Sequence, residues 1–286
     1  MYHVTWTMVL ILSAAMLGFA LYIGVISSLR HDRAQHNAYA EFRRELALAT
    51  APIGQAEPRD NPTTDKPKLL KLGTPVAILY IPKIHVREVV LEGTTSSVLQ
   101  DGPGHLRSTP LPGQPGTSEI MGRATAYGGP FGHLSRLSPG DLFLVTTGQG
   151  KNIYRVLDVR REGDPRPAPL TNGGGRLILA TADGVPLIPA GVLRVDADLT
   201  SPVQPAPAPV LTGSDLSSAE QAMGTDTSAW VPLVLWGQGL VVMACLITWA
   251  RAHWGRWQTW IVALPVMVFF GIAVADQAAR LLPNLM

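Results

Sequence analysis

One side chain in this 286-residue chain is a soft nucleophile, the thiol of Cys245. A thiol attacks as its thiolate, which needs polar or electropositive surroundings. A lone cysteine excludes an internal disulfide, a CxxC redox pair and a zinc site built on several thiolates. Among the 7 histidines no pair has a helical metal-ligand spacing. His85, His105 and His133 sit beside a strand-like run or in glycine-rich segments. Gly173-Gly-Gly175 is not followed by a Lys-Ser/Thr pair, so a phosphate-binding loop is not supported. No metal site or cofactor is expected. The formal net charge of +2 leaves no large electrostatic footprint for nucleic acid. The position of Cys245 therefore decides whether thiol chemistry is available.

The distribution of charge places it. Only 15% of the residues are Asp, Glu, Lys or Arg, against about 25% in a typical soluble protein. Val4–Leu29, Ala229–Ala250 and Trp257–Ala275 carry no charge at all. Each reaches or approaches the roughly 20 residues that cross a hydrocarbon core. The first lacks a basic n-region and is too long for a signal h-region, so an uncleaved anchor is expected rather than a signal peptide. Arg251 and Arg256, in the short link between the second and third spans, point to a cytoplasmic turn. Residues 30–228 then lie outside a plasma membrane crossed three times. Arg30 and Arg33 argue mildly the other way. All 7 tryptophans fall in or beside the spans, as aromatic interface anchors do. Cys245 falls inside the second span, where a buried thiol is a small hydrophobe.

Five segments follow: an anchor (1–29), a stalk and linker (30–74), a compact unit (75–200), a Pro/Ala-rich linker (201–228) expected to be extended, and a helical hairpin (229–286). The compact unit reads as β. Val76–Ile81, Val86–Leu91, Leu142–Thr147, Asn152–Val159, Leu177–Thr181 and Val192–Asp198 are short apolar or alternating runs bounded by Gly and Pro. Many short strands with such turns favour a barrel or sandwich.

Within this unit, Ile81-Pro-Lys-Ile-His-Val86 followed by Leu91-Glu-Gly-Thr94 resembles the opening strand pair of sortases. Leu99-Gln-Asp-Gly-Pro-Gly-His-Leu106, Pro112-Gly-Gln-Pro-Gly116, Leu137-Ser-Pro-Gly-Asp141 and Tyr154-Arg-Val156 resemble later parts of that family, in order. The likeness is greatest to actinobacterial sortases related to classes E and F. It implies a mainly β fold, an eight-stranded sortase barrel, here flanked by one N-terminal and two C-terminal membrane helices. It also implies a membrane-anchored transpeptidase of a Gram-positive cell envelope. Such an enzyme cuts a sorting signal through a cysteine thioester and passes the acyl group to an amine.

The family's chemistry requires a histidine, a cysteine and an arginine. The matching positions hold Arg123, Ala182 and Val192. Arg194, two residues beyond Val192, shares that strand face and could partly replace the missing arginine. Ala182 has no nucleophilic atom. Thr181 is expected to be structural. Asp183 is expected to accept from Arg123 or Arg194, which would depress its pKa. Tyr127-Gly-Gly-Pro-Phe131 resembles the family loop that borders the cleft, and serves either cleft shape or packing. The expected binding residues are thus Arg123, Tyr127, Thr181, Asp183 and Arg194, with no catalytic residue.

These residues favour a sortase-like membrane protein that does not transpeptidate and binds a peptide or envelope protein in the former cleft. The alternatives are a structural subunit assembled through the C-terminal hairpin, and a cysteine-independent hydrolase. Asp276 and Arg280 either contact a polar partner in a membrane complex or snorkel at the interface.

Overall fold

The computed structural model describes residues 18–19, 21–57, 68–171, 173–185, 188–253 and 256–286. The chain divides into two compact units. One is Ser27–Gly224 together with Pro283–Met286; the other is built on Thr225–Leu282 and the described residues up to Ile26.

The first unit is a closed barrel of eight strands: β1 (Pro75–Ile81), β2 (Val86–Glu92), β3 (Gly104–His105), β4 (Gly116–Met121), β5 (Leu142–Thr147), β6 (Gly150–Arg160), β7 (Gly175–Val185) and β8 (Ile188–Leu199). Their order around the barrel is β1-β2-β3-β4-β7-β8-β6-β5. The pairs β2–β3 and β4–β7 are parallel and the remainder antiparallel. This is the architecture that the sortase resemblance implies. Alternation drives it: in β6, Asn152, Tyr154 and Val156 point inward while Ile153, Arg155 and Leu157 face out. The barrel core gathers Val76, Leu79, Ile81, Ile120, Phe143, Val145, Leu177, Leu179, Leu193 and Val195.

Helix α1 (Ser27–Leu48) covers the outside of β1 and β2. Ala38 and partly buried Tyr39 pack there on Val89, Leu91 and Val98. Gln35 acts as a strand partner: it accepts from Val89 N–H at 2.7 Å and donates to Val89 C=O at 3.1 Å. The same Nε2 also donates to Asp101 C=O at 2.9 Å, tying α1 to the short helix α2 (Ser96–Asp101). The expected stalk is therefore helical but docked on the barrel.

The Pro/Ala-rich segment is likewise docked. Gln204 N–H donates to Gly113 C=O at 2.8 Å, and Gln149 donates to Pro205 C=O at 2.6 Å. Glu220 is buried and receives a two-pronged pair from Arg107 at 2.6 and 2.8 Å.

The second unit contains α3 (Trp230–His253) and α4 (Arg256–Arg280). Thr227–Ile247 and Ile261–Arg280 are long and apolar enough to cross a membrane. Trp236 meets Phe269 and Phe270 edge to face, with centroids 5.8 and 5.6 Å away. Asp276 accepts from Tyr22 at 2.8 Å and pairs with Arg280 at 3.1 Å. The expected first span lies largely outside the described residues. Cys245 is on α3 and exposed.

Candidate binding cleft

The outer face of β4, β7 and β8 forms the site. Period-two alternation puts Met121, Ala180, Ala182 and Val192 there, because Ile120, Leu179 and Leu193 point into the barrel. Register sets Ala182 directly opposite Val192, and Ala180 opposite Arg194. The three positions expected from sequence therefore converge at one place: Arg123 just after β4, Ala182 on β7 and Val192 on β8.

Arg123 is fully buried. Its Nη2 donates to Ser96 Oγ at 2.9 Å and to Ser96 C=O at 3.4 Å; its Nη1 donates to the main-chain oxygen of Met286 at 3.2 Å. The guanidinium lies 5.1 Å from the centre of the Tyr127 ring, a cation–π contact. Nε has no partner. No Asp or Glu side chain pairs with this cation among the described residues. Burial lowers its pKa well below the ordinary arginine value, to about 10, against an opposing effect of Tyr127. It remains charged at neutral pH.

Tyr127 is buried with φ of +54°, a left-handed conformation uncommon for a bulky residue. Its N–H donates to Ser27 Oγ at 3.1 Å, which fixes the loop on the start of α1. Thr181 is buried, and its hydroxyl donates to Gly122 C=O at 2.9 Å, pinning β7 to the end of β4.

Asp183 departs from expectation. It pairs with Arg161 at 3.0 Å rather than with Arg123 or Arg194. Arg161 lies just beyond β6, and the expectation overlooked it. Arg194 is partly exposed and faces Glu119 on β4. Burial pushes the Glu119 carboxyl up, although Arg194 and Arg160 oppose this. Arg160 itself is paired with Asp196.

An occupant absent from the sequence reading sits against this face. Residues Pro283–Met286 form a turn closed by Met286 N–H to Pro283 C=O at 3.0 Å. Leu285 is buried among Leu99, Met121, Ala180 and Val192, with Ala182 at the edge of the same cluster. Ala124 N–H donates to Leu285 C=O at 2.8 Å. The Asn284 amide donates to Ala219 C=O at 2.7 Å and to Gln221 C=O at 2.9 Å. Beside Met286 a cavity of about 170 Å³ opens onto Thr181, Ala182, Asp183, Phe131 and Gly132. Chemically, the face offers one buried cation, main-chain donors and an apolar pocket. No thiol or imidazole stands at Arg123 or Ala182.

Residues 79–183 match the family model described as "Sortase domain". Solved structures similar to this chain are sortases of several classes. The Clostridium perfringens sortase D5 transpeptidase is 21% identical over 59% of this chain and 99% of its own, with a TM-score of 0.46. Sortase E from Streptomyces avermitilis is 29% identical over 53% of this chain and 100% of its own, with a TM-score of 0.41. Sortase E1 from Streptomyces coelicolor, solved with a tripeptide in the active site, is 21% identical over 44% and 88%, with a TM-score of 0.39. A search of curated proteins found no match. The barrel is thus a sortase-like domain.

Proposed function

We propose that this protein is a membrane-anchored, sortase-like peptide-binding protein without transpeptidase chemistry, held by several spans with the barrel outside the cell. The observation that carries this reading is the content of the cleft. The positions that the sortase resemblance aligns with the catalytic cysteine and histidine hold Ala182 and Arg123, and residues Pro283–Met286 of the chain itself lie against the same face. A thioester requires a nucleophilic sulfur beside a proton acceptor. Ala182 supplies no such atom, and Cys245 lies on an apolar helix of the other unit. Binding chemistry is present instead: Ala124 N–H and the Arg123 guanidinium donate to peptide oxygens, and a pocket takes a leucine side chain. The partner is accordingly a peptide or an exposed segment of an envelope protein.

The test is to incubate the full chain in detergent micelles with sorting-signal peptides and an amine acceptor. Binding without turnover is expected. Thioester formation, cleavage or transfer sinks the reading.

A further inference from the structure

Residues 283–286 give the cleft a resident ligand. They follow α4 in the chain, yet they belong with the barrel unit and are almost wholly enclosed by it. Asn284, Leu285 and Met286 are each buried. Three separate recognition elements hold the turn. The carbonyls of Ala219 and Gln221 take both hydrogens of the Asn284 amide. The pocket of Leu99, Met121, Ala180 and Val192 takes the Leu285 side chain. Ala124 N–H and Arg123 Nη1 take the main-chain oxygens of Leu285 and Met286, at 2.8 and 3.2 Å. None of these contacts is needed to close the barrel, whose strands pair with one another all round.

We infer that the cleft is a site for a leucine-bearing peptide turn, that Pro283–Met286 fills it in cis, and that an outside peptide binds only by displacing this segment. The inference rests on the peptide-binding reading above and specifies its ligand: a turn with a hydrogen-bonding side chain, then leucine, then a carbonyl facing Arg123. It also makes the site self-gated. A tethered ligand competes at an effective concentration of order millimolar when its linker is short. A free peptide with the same contacts therefore binds the intact protein poorly.

The experiment uses the full chain in detergent and a fluorescent Pro-Asn-Leu-Met peptide, read by anisotropy. Weak binding to the unmodified protein is expected. Leu285→Ala removes most of a side-chain burial worth about 2 kcal/mol, which is more than tenfold in affinity. The variant should bind the probe at least about tenfold more tightly. Asn284→Ala, which leaves the apolar pocket intact, should act in the same direction. A probe with alanine in place of leucine should lose the gain. The inference is overturned if both variants bind the probe as the unmodified protein does, or if the alanine probe binds equally well. Cleavage of a sorting-signal peptide by the unmodified protein would instead overturn the peptide-binding reading, whatever the probe does.

Discussion

Two buried polar regions of the barrel unit differ in how their charges are met. Around His105, buried polar side chains are matched with hydrogen-bonding partners. His105 and Glu92 are both fully buried and hydrogen-bonded at 2.9 Å, and the second ring nitrogen lies 3.1 Å from Pro110 C=O. Nearby, Arg107 grips Glu220 with two nitrogens. Around Arg123, an equally buried guanidinium has no Asp or Glu side chain against it among the described residues and meets oxygens of Ser96 and Met286 and an aromatic face. Removing one partner of a buried pair leaves an uncompensated group, whereas removing an unpaired buried charge relieves a desolvation cost. The first region holds the fold together. The second holds a buried cation with no Asp or Glu side chain against it among the described residues.

The largest expected effect comes from breaking the matched pair. Glu92→Ala should destabilise the barrel by about 3 kcal/mol, seen as a lower midpoint in denaturant unfolding. A change under about 1 kcal/mol would show that this pair is not what distinguishes the two regions. Next, Arg107→Ala should cost about 2 kcal/mol and leave Glu220 buried alone. Limited proteolysis should then cut between Pro202 and Gly224 faster than in the unmodified chain; equal rates refute the clasp.

A smaller effect depends on pH. His31 is buried against Glu88 at 3.1 Å. Burial alone lowers its pKa, but the hydrogen bond and charge of Glu88 outweigh this and leave it raised above 6.5. A raised folded-state value means that the protonated pair stabilises fully below about pH 6.5 and that this stability is lost as pH rises through the folded value. The melting temperature should fall across that window, and Glu88→Gln should flatten the fall. The smallest effect on stability is expected at the unmatched cation. Arg123→Met should change unfolding free energy by less than about 1 kcal/mol, while the Leu285→Ala background loses its gain in peptide binding. A loss of several kcal/mol would make Arg123 a structural residue like Glu92 and erase the contrast.

Six strands were legible because their apolar runs or alternation are strong. β3 and β4 were not. β3 has two residues, and β4 is Gly-Thr-Ser-Glu before its first large apolar residue, so its place between β3 and β7 comes from pairing rather than pattern. In the cleft, Arg123, Thr181, Ala182 and Val192 could be placed by resemblance, and strand register brings them together. The partner of Asp183 could not, because Arg161 reaches it from beyond a different strand. The four residues that fill the cleft carry no periodic signal. They follow an apolar helix, and only tertiary packing shows where they go. The same holds for Ser96, Leu99 and Met121, which look like ordinary helix and strand residues until the turn lies against them.

The Asn284 clasp has a topological consequence. Its N–H donates to Gly224 C=O at 2.9 Å, so the chain leaves the barrel unit and returns to it at adjacent points. Residues 225–282 are a closed loop hung from one hydrogen-bonded knot. Releasing the turn from the cleft therefore also unties residues 225–282 at that hydrogen bond.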